Sequence, residues 1–258
     1  MSNNPNLSFF ITRKVNNFND NFIWIECVKQ IRSFYKFYPI FIIDDCNNQD
    51  IIVKLENVKD LPNFNIHFFN TDKDPEIKGT GEFASFYYYR KIKVSKRAIF
   101  IQDSFFILKP LDENIIYNCD IRFLLGFIDK EEKFKSLVNN LTLELNEGNK
   151  IIEYKYKYNW IGCVGSSCLI SLEYLLYLEK KYNFFIIAQD IINKTMKEVF
   201  ERLFGLLITY DKKSFSNLSL FGVNGKFNYD LNFYIQKKNE MIANNIPYFN
   251  YHQHQLLP

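Results

Sequence analysis

Glycine and proline are scarce in this chain, nine and seven of its 258 residues. Nowhere do they gather with serine into a stretch loose enough to join two domains, so one domain over residues 1–258 is expected. No apolar run reaches the roughly 18 residues of a membrane span, and the polar start at residues 1–6 lacks the charged-then-apolar order of a secretory signal. A cytoplasmic protein is expected. The five cysteines, Cys27, Cys46, Cys119, Cys163 and Cys168, include no C-x-x-C pair, which speaks against a zinc knuckle and a disulfide framework alike. Charge of one sign is missing as a block: 32 basic and 29 acidic side chains scatter along the chain. Nucleic-acid binders concentrate lysine and arginine on one face, so nucleic acid is not an expected partner. Lys93, Lys96 and Arg97 are read as a solvated helix end.

Three phosphate and nucleophile signatures are absent as well. No Walker A loop, no Gly-x-Gly-x-x-Gly and no Gly-x-Ser-x-Gly occurs, which argues against P-loop phosphotransfer, a dinucleotide fingerprint and a hydrolase elbow. Lys78-Gly-Thr-Gly-Glu82 is a fragment of such loops and taken alone is a turn.

What the chain has is apolar and aromatic residues, 47% and 18% of its length, enough for a full core. Leu7–Ile11 has the composition of a buried strand. Residues 24–35 carry apolar side chains at helical spacing, and Ile40–Ile43 is a second apolar strand. Strand, helix, apolar strand is the opening of a mostly parallel sheet flanked by helices, an α/β fold. The pattern continues with a strand at Asn65–Phe69, a helix from Glu82 to about Val94 and a strand at Ala98–Ile101. Ile121–Phe127 reads as a strand, Lys130–Asn149 as a charged excursion, and Leu169–Tyr182 and Lys194–Leu207 as helices. The tail from Ser214 is irregular.

Ligands of open α/β sheets bind beyond the carboxyl ends of the strands. There the chain carries Thr12 and Arg13, Asp44 and Asp45, and Asp103 with Ser104. Aspartates at strand ends suit a nucleotide diphosphate held through Mg²⁺ or Mn²⁺, or a hydrogen bond from a base or ribose; they also suit turns and helix caps. Of the histidines, His67 falls inside a strand. His252 and His254 alternate on an extended tail, where one could complete a metal shell or both could fray. Glu201 lies beside Arg202 on the late helix, either as a solvated charge or as a general base.

Several segments together resemble the glycosyltransferase-like proteins of giant DNA viruses, which belong with the GT-A glycosyltransferases. They are Phe10-Ile-Thr-Arg-Lys-Val-Asn-Asn17, Trp24-Ile-Glu-Cys27, Ile42-Ile-Asp-Asp45, Gly81-Glu82, residues 98–107, Trp160-Ile-Gly-Cys-Val-Gly165 and Phe200-Glu-Arg202. The resemblance implies a single Rossmann-like GT-A domain that moves a sugar from a nucleotide-sugar donor to a glycan or protein acceptor, in the host cytoplasm or a virus factory. It implies a nucleotide wall at Thr12, Arg13, Asp44 and Asp45, and a metal motif at Gln102-Asp103-Ser104. Mn²⁺ or Mg²⁺ would be held by Asp103 with His252 or His254. Glu82, Trp160, Gly162 and Gly165 would border the donor sugar or acceptor, the glycines letting backbone approach closely. Glu201 becomes the leading general base. The motif keeps one carboxylate where two are common, so the alternative implied is a GT-A-like protein that binds nucleotide or carbohydrate without catalysis.

Overall fold

A computed structural model describes residues 6–45, 49–58, 61, 64–129, 131–214, 218–223 and 231–250. His252, His254 and Cys46 lie outside the described residues. The first half is a βαβ series: β1 (Leu7–Arg13), α1 (Asn21–Phe34), β2 (Ile40–Asp44), β3 (Ile66–Asn70), α2 (Phe83–Ile92) and β4 (Arg97–Gln102). Then come β5 (Phe105–Ile107), α3 (Glu113–Asn118), β6 (Ile121–Phe123), β7 (Gly126–Phe127), α4 (Lys135–Leu143), α5 (Gly148–Lys157), β8 (Gly162–Cys163) and β9 (Cys168–Ser171). The remaining elements are α6 (Leu172–Tyr182), α7 (Lys194–Lys212), α8 (Leu231–Ala243) and β10 (Tyr248–Asn250).

Six strands form the main sheet in the order β3-β2-β1-β4-β9-β6. β3, β2, β1 and β4 run parallel, whereas β9 runs antiparallel to both its neighbours, so the sheet is mixed. β1 and β4 lie at its centre and read as continuous apolar runs because helices cover both faces. Alternation divides them: Phe10 and Phe100 face α2, α6 and α7, while Phe9, Ile11, Ile99 and Ile101 face α1. The first face is dense in rings. Phe86 lies against Phe100, and Phe83 meets Phe184 and Phe200.

Several expectations need correction. The helix expected from Leu169 begins three residues later, because residues 168–171 extend the sheet and Ser171 caps α6 by accepting the Tyr174 N–H at 3.1 Å. Lys130–Asn149 is no excursion: α4 and α5 bury Val138, Leu141 and Ile151 beneath their charges. The run 121–127 breaks at Leu124 into β6 and β7. Lys93 ends α2 in a left-handed turn and Arg97 opens β4, so the three basic residues do not share a helix end. The tail contributes α8 and β10, the latter antiparallel to β5 with Tyr248 stacked on Phe105 at 5.3 Å. His67 is exposed on β3 and stacks on Phe41.

α7 is buried along most of its length, and at Gly205 it meets the chain of Ile161 and Gly162. A Cβ there would fall 2.1 Å from the Ile161 carbonyl oxygen and 2.6 Å from the Gly162 Cα. Both neighbours are backbone and cannot swing aside. Gly205→Ala should therefore destabilise the protein by about 1–3 kcal/mol despite the roughly 1 kcal/mol gain in helix propensity. Chemical denaturation checks this, and a mutant at least as stable as the parent would show that α7 and β8 have room to part.

Candidate functional site

The parallel strands end along one edge, and the candidate residues there differ in what they touch. Thr12 is buried and its hydroxyl shares a hydrogen bond with Ser85 of α2 at 2.9 Å. Arg13 is also buried. Its guanidinium pairs with Asp44 at 3.3 Å and lies 4.7 Å from the Trp24 ring centre and 5.1 Å from that of Phe68. Asp44 accepts a further bond from Gln49 at 2.9 Å. These three side chains are held by protein and form the underside of the edge. Asp45 reaches across it: Lys197 of α7 donates to its carboxylate at 2.5 Å, tying the end of β2 to the late helix.

The next strand end departs from expectation. Successive side chains on a strand point to opposite faces, and the cleft beyond β4 is lined by Gln102, not by Asp103. The Asp103 carboxylate instead accepts the backbone N–H of Lys14, on the β1 side. Burial pushes Asp103 up to about 7, and Asp20 and Glu82 add repulsion, while the Lys14 N–H and Arg13 oppose the rise. Ser104 follows in the turn before β5, partly buried.

The cleft itself has a volume of about 520 Å³ and is open to solvent on one side. Gln102, Glu82, Val164 and Gly165 border it from the sheet and its turns, and Phe127 and Glu131 from the segment after β6. Lys194, Lys197, Glu198, Glu201 and Arg202 come from α7. The α7 residues recur at intervals of three and four, so they make one polar stripe along the helix, facing the strand ends opposite its apolar side. Asn193 caps that helix by accepting the Met196 N–H. Arg202 is itself held, donating to Asp129 at 3.1 Å and pairing with Glu131 at 3.3 Å, with its guanidinium 3.8 Å from the Phe134 ring centre.

Glu201 is the most perturbed carboxyl bordering this cleft. Burial pushes it up to about 8 and repulsion from Glu82 and Glu198 adds to the rise; Arg202 and a hydrogen bond from the Gly165 backbone N–H oppose it. Near neutral pH it is therefore mostly protonated, with an ionised fraction that grows as pH approaches 8. Glu82 accepts from Gln102 Nε2 at 2.6 Å. Gly165 has φ +55°, and a Cβ there would strike the Gln102 amide.

Two of the expected sugar-side residues are occupied by packing. Gly162 is buried beneath the Phe127 ring and against Gly205, which explains why only glycine fits there without any ligand. Trp160 is partly buried against the core and does not line the cleft. Among the described residues no three His, Cys, Asp or Glu side chains gather as a metal-holding group. The cleft offers an amide at the strand end where a chelate needs a carboxylate, so the donor set among the described residues does not fit Mn²⁺ or Mg²⁺.

The sequence places Glu201, Glu82 and Gly165 here and gives Gln102 only as the neighbour of Asp103 in the strand-end motif; Lys194, Lys197 and Glu198 went unnoticed. The stripe 194, 197, 198, 201 was the available signal: four polar residues at helical spacing, C-terminal to a capping asparagine, on a helix whose other side is apolar.

No family model matches the chain, and no curated protein matches it. Solved structures that resemble it are glycosyltransferases. An active-site mutant of LgtC is 11% identical, with a TM-score of 0.47, over 97% of this chain and 91% of that one. The galactosyltransferase LgtC in complex with donor and acceptor sugar analogs is 10% identical, with a TM-score of 0.43, over 95% and 86%. Core-mannan synthase A from Aspergillus fumigatus, in an Mn/GDP form, is 10% identical, with a TM-score of 0.45, over 79% and 70%. With about one residue in ten identical, the roles of individual side chains rest on this chain's own geometry.

Proposed function

We propose that this protein is a GT-A glycosyltransferase, one domain over residues 1–258, that moves a sugar from a nucleotide-sugar donor to a hydroxyl of a glycan or protein acceptor. The observation that carries the reading is Glu201, a partly buried carboxyl with its proton affinity raised to about 8 by desolvation, at the wall of a cleft beyond the ends of parallel strands. That edge is where open α/β sheets place their ligands. Its ionised form, a minor fraction at neutral pH that grows as pH approaches 8, is a stronger base than an ordinary glutamate and suits removal of a proton from a sugar hydroxyl.

In this reading the acceptor oxygen attacks the anomeric carbon as Glu201 takes its proton, and the bond to the nucleotide diphosphate breaks with its electrons staying on the diphosphate. Such direct displacement inverts the anomeric configuration. Lys194 and Lys197 supply positive charge on the diphosphate side of the cleft. Asp45 holds Lys197 to the strand ends, while Thr12, Arg13, Asp44 and Ser104 shape the nucleotide wall beneath. No step is routed through a divalent cation; of the ligands expected for one, His252 and His254 lie outside the described residues and the Asp103 carboxyl turns to the Lys14 N–H and not into the cleft. The resemblance to giant-virus proteins favours the host cytoplasm or a virus factory as its place. Gln102, an amide at the strand end, favours a second reading: a protein that binds the sugar nucleotide and does not turn it over.

Uridine or guanosine diphosphate should raise the melting temperature more than adenosine nucleotides or NAD, by an amount corresponding to about 2.7 kcal/mol at a hundredfold excess over Kd. Equal or absent shifts for all of them would contradict donor binding. Glu201→Gln should keep that shift and lose ~10²- to 10⁴-fold in turnover. The parent's kcat/KM should rise with pH and level off near 8. Unchanged turnover in the mutant would remove Glu201 from the chemistry, and an unmutated protein that binds donor without releasing diphosphate would favour the second reading.

The same shift makes a stability prediction with a definite sign. Between the ordinary glutamate value of 4.5 and about 8 the folded protein holds a proton on Glu201 that the unfolded chain releases. Stability therefore falls as pH rises through that window. Glu201→Gln should lose less stability than the parent between pH 5 and 8 in denaturant titrations, and parallel profiles would show that Glu201 titrates normally.

A further inference from the structure

We propose that Gln102 is a positioning residue of the cleft, whose side-chain amide fixes Glu82 on one side and the turn at Gly165 on the other, and so sets where Glu201 stands. The two carboxyls belong to different elements: Glu82 to the turn before α2, and Glu201 to the second turn of α7. Nothing in the chain's local geometry relates them. What relates them is the end of β4, a central strand held by β1 on one side and β9 on the other. From there Gln102 Nε2 donates to Glu82 Oε1 at 2.6 Å.

On its other side the same amide is pressed against Gly165. A Cβ at position 165 would lie 2.6 Å from both the Gln102 Cδ and its Oε1, and the backbone turns there through φ +55°. The Gly165 N–H then donates to the Glu201 carboxyl. A continuous line of contacts, Glu82 to Gln102 to Gly165 to Glu201, thus crosses the floor of the cleft.

The chemistry of the amide matters. A neutral donor can hold Glu82 without adding charge; a lysine would neutralise it and a carboxylate would repel it. Glu201 is faced by Glu82 from the α2 turn, Glu198, Arg202, Lys194 and Lys197 from its own helix, Glu131 from the segment after β7 and Cys163 from β8. Of these, Glu82 is the one Gln102 holds. Changing Gln102 should therefore move the titration of Glu201 through Glu82, as well as its place.

The test uses two variants of similar size. Gln102→Leu removes the donor, frees Glu82 to turn to water and relieves the repulsion, so the titration midpoint of Glu201 should fall by about one unit or more from the parent's. Gln102→Glu sets a carboxylate at hydrogen-bonding distance from Glu82, and the midpoint should rise. Asp103 titrates in the same range and is also repelled by Glu82, so both midpoints are read as the part of the stability-against-pH profile that Glu201→Gln removes in each background, by denaturant unfolding, which needs no activity. On the transferase reading, on which only this arm rests, kcat should drop ~10- to 100-fold in both variants while the donor KM stays within about twofold. Opposite displacements of the two stability profiles support the assignment. Profiles that both coincide with the parent's, or that move in the same direction, overturn it. A parent without turnover would defeat the transferase reading and leave the stability profiles to decide the role of Gln102.

Discussion

The cleft exists because α7 lies almost in contact with the backbone of residues 161 and 162. Gly205 is the point of nearest approach, and no side chain fits between it and the Ile161 carbonyl. With the helix seated there, its apolar side fills the ring-rich layer against α2, and its N-terminal polar stripe is carried over the ends of β2 and β4. Lys197 meets Asp45, Arg202 meets Asp129 and Glu131, and Glu201 arrives beside the Gly165 turn. A helix seated farther away would part these pairs and leave the Glu201 carboxyl in water with the ordinary proton affinity of a glutamate.

Electrostatics then divides the carboxyls of this edge into two kinds. Asp44 and Asp45 face cations at short distance and act as struts between elements. Glu201 and Asp103 are desolvated with carboxylates nearby, and both are pushed up toward neutrality. The strong perturbation at Asp103 would by itself point to a functional group, yet its carboxyl turns back to the Lys14 N–H and away from the cleft. Geometry separates the two where proton affinity alone does not.

The sequence made the parallel half of the fold legible because buried parallel strands are apolar on both faces and stop abruptly at polar residues, as at Ile43-Asp44 and Ile101-Gln102. It hid the antiparallel strand β9, since Cys-Leu-Ile-Ser leads into α6 without a break in apolar character. α4 and α5 escaped notice because abundant lysine and glutamate masked Val138, Leu141 and Ile151. At the site, Glu82 and Glu201 could be named from their elements. Gln102 was named only as part of the motif around Asp103; its own place in the cleft was not legible, because the alternation that turns Asp103 away depends on where the strand ends. Gly162 was legible as a close-approach position, but what approaches is Phe127 and Gly205.

The central claim is that the cleft wall presents a glutamic acid that keeps its proton near neutral pH. The most direct measurement is a carbon-13 titration of the side-chain carboxyls, with the Glu201 resonance assigned from Glu201→Gln. The account requires that resonance to titrate at about 8 in the unliganded protein. A midpoint at the ordinary glutamate value of 4.5 would mean that water reaches the carboxyl freely and that the cleft does not prepare it for chemistry.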